Sequence, residues 1–372
     1  MSKMTLAEAQ AFCLERGIPF YSYRLPGEDV YYFGAQQEGE VKHFDRLEGG
    51  EKGFIVVPFA TMPKVPSLFI RGDFTFQGHS PVWEWEGVKE KSFFRPEQKY
   101  DRLQDVGWEE YQQQVTAMIT RLQQKKVRKL VLSRTLTRNC SGYTQAPLWF
   151  GKLAEHYPEA FVFLFSVPGV ATWMGATPEI FLRQSVQGCE TMALAGTRAW
   201  GDTGAWGAKE REEQAIVSKY VADVLHTNTG EKWEKTGPFS HRAGNVEHLC
   251  TAFRHRDMLN TPCVDRLRRA LHPTPAVGGI PLQDALATIR QIEGNNRRYY
   301  AGYLGPVWEN GTFDWFVNLR SMELLQEKVR LYVGGGITAL SVPRNEWEET
   351  ELKSRTLLDI IEKIDYGKVN LG

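Results

Sequence analysis

Residues 161–183 read FVFLFSV-PGV-ATWMGATPEIFLR. Two runs rich in aromatic and β-favouring residues, 161–167 and 171–183, flank the turn dipeptide Pro168-Gly169. That pattern predicts an antiparallel hairpin. The pattern repeats outward. VRKLVLSRTLT (127–137) reads as a strand, preceded by a helix over 108–126 with Tyr111, Val115, Met118 and Leu122 at helical spacing. Downstream, a helix is predicted from about Glu210 to Leu225. TFDWFVNLRSMEL (312–324), after the turn Asn310-Gly311, and EKVRLYV (327–333) read as neighbouring strands, and a last helix runs from about Asn345 to Ile364. Hairpins separated by helices predict an α+β fold and not an alternating βαβ fold. Residues 1–85 read as one helix followed by short strands and turns, ending near Trp83 and Trp85. The polar stretch 86–107 reads as a surface connector. Residues 1–107 form a β-rich portion expected to pack into the same body as a catalytic domain at 108–366.

The bulk numbers exclude several classes. The chain has 372 residues, 42% hydrophobic and 24% charged, which suits a globular protein with a substantial core. With 45 Lys plus Arg against 45 Asp plus Glu, there is no bulk attraction to nucleic acid or a membrane surface. The five cysteines, Cys13, Cys140, Cys189, Cys250 and Cys263, form no C-x-x-C pair, so a reducing cytoplasm is expected rather than a disulfide framework or zinc site. The N-terminus lacks the apolar stretch of a signal peptide, and the apolar run 161–167 is too short to span a bilayer. No Walker A pattern is present, and Gly334-Gly335-Gly336 lacks the spacing of a dinucleotide fingerprint.

The informative residues are charges where apolar residues would be expected. One helix carries the stripe Glu210, Glu213, Val217, Tyr220, Val224. The last helix carries Glu346, Glu349, Lys353, Leu357, Ile361, Ile364. In each, a glutamate pair begins a face that turns apolar. Acidic first turns complement a helix dipole, and that explains either pair alone. Two pairs facing each other would instead make a carboxylate cage for a hard cation such as magnesium. Lys129, inside VRKLVL, is either exposed on its strand or desolvated, in which case its neutral form could act as a base. Glu179, before Ile180-Phe181-Leu182, is either at an edge or a carboxyl kept protonated by its surroundings. Gly334-Gly335-Gly336, read as ending a strand, is a flexible turn or a place where backbone N–H groups meet a carboxylate. Arg320 is solvated or grips a carboxylate in a two-toothed hold.

These stretches together resemble the chorismate-utilising enzymes. The resemblance is carried by Lys129-Leu-Val-Leu-Ser-Arg134, Gly175-Ala-Thr-Pro-Glu179, Ala193-Leu-Ala-Gly-Thr197, Lys209-Glu-Arg-Glu-Glu-Gln214, Leu271-His-Pro-Thr-Pro-Ala276, Tyr300-Ala-Gly-Tyr-Leu-Gly305, Arg320, Gly334-Gly-Gly-Ile337 and Glu346-Trp-Glu-Glu-Thr-Glu-Leu-Lys353, in the family's order. It implies two large antiparallel sheets around a core, with helices outside and the site between the sheets. It also implies Mg²⁺ on Glu213 and Glu349, supported by Glu210 and Glu346, and a substrate carboxylate held by the metal, Lys353, Gly335 and Gly336. Arg320 would hold the enolpyruvyl carboxylate. Gly196 and Thr197 would line the ring hydroxyl, and His272 would stand close to the ring. Lys129 would be the base and Glu179 the acid. One departure stands out: Gln214 occupies a position where the family usually has His.

Within the family, Lys129 resembles the water-using branch, since the ammonia-using members usually carry Gln there. The 271–279 stretch resembles isochorismate synthases. The activity this implies is isomerisation of chorismate to isochorismate, with no amidotransferase partner, in menaquinone or catechol siderophore synthesis. The short chain without extra domains points toward menaquinone. Salicylate synthase, an aminating synthase and a non-catalytic binder of a small dianion are the alternatives.

Overall fold

The run 171–183 does not continue as one strand. In the computed structural model, Ala171–Thr177 pairs with Phe161–Val167, as the hairpin reading requires. After Pro178 and Glu179, however, the chain enters a different sheet as Ile180–Ser185. Pro178 has no N–H to give to a ladder, so the first strand ends there. The same happens at 312–324, where Phe313–Val317 lies in one sheet and Ser321–Leu324 in the other. Each of these two predicted single strands is therefore two strands joined by a crossing. The crossings run side by side: Val317 N donates to Glu179 O at 2.9 Å, Ala176 N to Arg320 O at 3.1 Å, and Thr177 Oγ1 to Val317 O at 2.6 Å. Arg320 carries φ 46°, a left-handed conformation rare for a side chain of its size.

The structure describes residues 2–78, 82–85, 105–140, 142–230 and 232–369. Most of the predicted connector at 86–107 lies outside the described residues. Two antiparallel sheets of nine strands each make the body. One runs, edge to edge, from Gly279–Ile280 through Lys129–Asn139, Lys328–Ile337, Ser321–Leu324, Ala171–Thr177 and Phe161–Val167 to Phe20–Arg24, Tyr31–Ala35 and Phe74–Gly78. The other runs from Glu234–Ala243 through Val246–His255, Gly188–Ala199, Ile180–Ser185, Phe313–Val317 and Tyr303–Val307 to Gly53–Val57, Leu68–Arg71 and Lys42–His43. Strands before residue 79 thus extend both sheets. A separate pair, Ser2–Thr5 with Val82–Trp85, stands apart.

The sheets meet through aromatic side chains. Phe161 of one sheet stacks on Phe316 of the other at 4.1 Å between centroids, with Tyr23 and Phe54 in the same buried cluster. The outer face of the first sheet is covered by Leu6–Arg16, Gly142–His156 and Pro343–Val369, packed through residues such as Trp149, Phe150 and Leu357. Local chemistry sets the helix ends. Thr5 and Glu8 form a capping box, and Gly17 (φ 66°) and Gly230 (φ 66°) close two helices in the left-handed conformation. No helix of the described residues is long and apolar enough to cross a membrane.

Two details depart from the sequence reading. The buried face of Ala208–Thr229 runs Glu213, Val217, Val221, Leu225, so Tyr220 and Val224 lie off it, and Glu210 is only half-buried. A step of four residues exceeds the ~3.6 of a helical turn, so this buried line winds slowly around the helix, whereas the predicted path through Tyr220 and Val224 runs straighter along it. The three consecutive glycines do not end a strand. They lie inside Lys328–Ile337, opposite Ser133, Leu132 and Val131.

Candidate active site

The two crossings, the glycine-bearing strand and the second and third turns of two helices enclose one cavity. Its wall includes Glu179, Gly196, Thr197, Glu213, Arg320, Gly335, Gly336, Glu349 and Lys353. Sequence reading had named all of these as site residues; what the structure adds is that they share one wall. Only glycine at 336 leaves the carboxylate of Glu213 where it lies: a Cβ there would stand 2.0 Å from Glu213 Oε1. At Gly335 it would approach Glu349 Oε1 at 3.3 Å and Glu346 Oε2 at 3.6 Å. The glutamates therefore converge over bare backbone. Gly196 (φ 74°) sits in a bulge between Ala195 and Thr197 that turns the strand toward the helix start, close against Glu210.

Glu213, Glu346 and Glu349 each hold a lysine. Lys129 Nζ is 3.0 Å from Glu213 Oε1, Lys209 Nζ 2.7 Å from Glu346 Oε1, and Lys353 Nζ 2.6 Å from Glu349 Oε1. Burial pushes Glu213 and Glu349 upward, but their lysine neighbours outweigh it and hold both below the usual carboxylate range. Glu346 is pushed up to about 7 by burial and the charge of Glu349. Lys129 has no exposed surface, yet it is not on the cavity wall. It stands behind Glu213 and Gly336. Glu210 also stays out of the cavity. It lines the outer mouth with Lys209 and Glu346.

The donor set fits a hard divalent cation: oxygen only, anionic, and with Glu346 Oε2 lacking a hydrogen-bond donor. Among the described residues no three of these carboxylates already stand at the spacing of a closed metal shell. Each of the three is paired with a lysine instead.

The opposite end of the cavity is cationic. Arg320 is buried without a carboxylate partner among the described residues. It donates to Thr356 Oγ1 at 3.1 Å and to His248 Nε2 at 3.2 Å. Burial lowers it to about 10, so it stays charged at neutral pH. A guanidinium only donates, so His248 accepts at Nε2 and carries its proton on Nδ1, which faces Gly196 O (3.0 Å) and Thr197 Oγ1 (3.1 Å). Burial, with Arg320 and Lys353 nearby, keeps His248 neutral. Between the two ends lies Glu179, raised to about 8 by burial, against the pull of Lys129 and Lys353.

The structure does not bring His272 to the cavity. Its Nε2 donates to Pro58 O at 2.9 Å, and its ring packs edge-on against Phe181 and Tyr303. The 271–279 stretch reaches the wall through Ala276 and Val277 instead. The histidine of the site is His248, which sequence reading missed together with Tyr300. Gln214 faces away from the cavity. It donates to Ala193 O (3.0 Å) and Thr251 Oγ1 (2.9 Å), pinning its helix to the sheet and aiming its neighbour Glu213 inward.

Comparison with known proteins places this geometry. A family model described as "Chorismate binding enzyme" matches residues 83–362. The chain is 28% identical over 250 residues to isochorismate synthase EntC of Escherichia coli K12, covering 63% of this chain and 62% of that protein. It is 32% identical over 268 residues to the salicylate biosynthesis isochorismate synthase of Pseudomonas aeruginosa, covering 68% of this chain and 55% of that protein. The aligned part thus spans less than two thirds of either relative. The fold matches that of MenF, the menaquinone-specific isochorismate synthase of Escherichia coli, with a TM-score of 0.76 at 20% identity, over 95% of this chain and 91% of that one.

Proposed function

The chain belongs to the chorismate-binding enzyme family, and on that premise we propose that it is a magnesium-dependent isochorismate synthase. The observation that carries the reading is the pairing of a wholly buried lysine with a buried carboxyl raised to about 8, beside an arginine that lacks a counter-ion. An aminating enzyme has no need of such a lysine. A mere binder of dianions has no need of the raised carboxyl.

Glu213 and Glu349 would hold Mg²⁺, with Glu346 and Glu210 supporting from the mouth. The ion would supply a counter-charge for the ring carboxylate of chorismate. Lys353 and the N–H groups at Gly335 and Gly336 orient that carboxylate, and Arg320, aimed by His248, grips the enolpyruvyl carboxylate. Glu213 covers Lys129 in the structure as it stands. A Glu213 turned toward a bound cation would leave the Lys129 amine uncovered. Lys129 then takes a proton from water, which attacks C2 of the ring. The double bonds shift, the C4–O bond breaks, and Glu179 protonates the departing hydroxyl. One water enters and one leaves, so the product is an isomer, isochorismate. It would feed menaquinone or catechol siderophore synthesis.

The test is product analysis after incubation with chorismate and Mg²⁺, with and without ammonium. Isochorismate in a mixture with chorismate is expected in both arms. Stoichiometric salicylate and pyruvate, anthranilate formed only with ammonium, or binding without turnover would each overturn the assignment.

A further inference from the structure

We propose that Lys209 is a displaceable stand-in cation. It neutralises Glu346 in the metal-free protein and leaves when a divalent cation enters, and so sets the metal affinity of the site. The inference rests on the divalent-cation reading above.

Three carboxylates, Glu213, Glu346 and Glu349, meet three ammonium groups, so the site is already balanced in charge. A divalent ion adds two positive charges to a buried space, which favours departure of a resident cation that is able to move. Lys129 has no exposed surface and no outward path. Lys353 is held twice, by Glu349 one turn away on its own helix and by Gly334 O at 3.0 Å. Lys209 has no second tether of the kind that Gly334 O gives Lys353, though the two are similarly exposed. Its side chain is 18% exposed, and among the described residues its one ion-pair partner is Glu346. It lines the outer mouth, where Glu210 offers a more solvent-side resting place. It also stands in the first turn of Ala208–Thr229, where the helix dipole disfavours a cation, so Glu346, Glu349 and Glu213 are what keep it there. Glu346, for its part, keeps one oxygen without a donor and faces the place the ion would take. A lysine in this position keeps the glutamates from repelling one another before the metal arrives, and competes with the metal when it does.

The experiment is calorimetric titration of Mg²⁺ into the full chain without chorismate, for wild type, Lys209→Met and Lys209→Arg. Lys209→Met is expected to bind Mg²⁺ about tenfold tighter or more, within the range that partners of metal ligands usually command. Its metal-free form should melt lower, with the deficit removed by saturating Mg²⁺. Lys209→Arg should resemble wild type. In parallel, wild-type protein is treated with an amine-acylating reagent and mapped by mass spectrometry. Lys209 should react slowly without metal and several-fold faster with Mg²⁺. Equal or weaker Mg²⁺ binding by Lys209→Met, or labelling unchanged or slowed by Mg²⁺, overturns the inference while leaving the metal reading intact. If neither wild type nor variant takes up Mg²⁺, the metal reading itself falls. Should Lys209→Met fail to fold, the labelling of the wild type decides.

Discussion

In the proposed reaction Glu179 and Lys129 do opposite work. A carboxyl donates a proton only while it holds one. With burial raising Glu179 to about 8, the donor form is present below that pH and is lost as pH rises through it. The kcat-versus-pH profile should therefore fall near pH 8. Glu179→Gln should be nearly inactive while still binding chorismate with little loss, and a Gln variant that keeps wild-type turnover would remove Glu179 from the chemistry. Lys129→Ala should lose about a hundredfold or more in single-turnover rate, the usual contribution of a positioned base. Isochorismate formation at the wild-type rate would mean that water is activated elsewhere. The apolar run around each residue flagged it in the sequence but left an exposed and a buried reading open; the family resemblance supplied the roles, and the structure buries both. His248 carried no such flag, because VEHLCTAF places its histidine in an ordinary strand alternation, and nothing local tells that Arg320, 72 residues on, will donate to it. His272 misled for the converse reason. It lies in a recognisable motif, but its ring is turned to Pro58 and not to the cavity.

At the scale of elements, the strand Lys328–Ile337 works by what it lacks. A methyl group at 336 would meet the far end of Glu213, a side chain able to shift, rather than fixed backbone. Gly336→Ala should therefore fold with a melting temperature close to wild type and bind Mg²⁺ about ten- to a hundredfold more weakly, by displacing one ligand. Unchanged affinity in a titration would show that Glu213 is not a ligand. The helices were readable because glutamates at a spacing of three sit ahead of an apolar face, and Glu213, Glu346 and Glu349 are indeed brought together. The face itself was misread by part of a turn, since Tyr220 and Val224 are apolar enough to pass for core. The sheet crossings were not readable at all. Pro178 signals the end of a ladder, but which ladder the chain joins next depends on partners more than a hundred residues away, such as Phe316 opposite Ile180.

Over the whole molecule, the two sheets share one aromatic interior to which the strands before residue 79 contribute Tyr23 and Phe54. We take residues 1–107 and 108–366 to fold as one unit. The fragment 108–366 would expose the Phe161–Val167 edge, paired to Phe20–Arg24 in the full chain, and the Tyr303–Val307 edge, paired to Gly53–Val57. Open apolar edges of this kind aggregate, so the fragment should be recovered in inclusion bodies. A soluble, chorismate-binding fragment would sink the one-unit reading. The paired crossings carry a mechanical consequence as well. Because both strands pass between the sheets side by side and are bonded to each other, one sheet cannot shear over the other without tearing Glu179 and Arg320 apart. Any clamping of the cavity must then be done by the two helices, as a jaw working against an anvil. On the proposed reading, the proton donor and the anion grip belong to the anvil, and the glutamates that would bind the ion, with Lys209 at their lip, belong to the jaw.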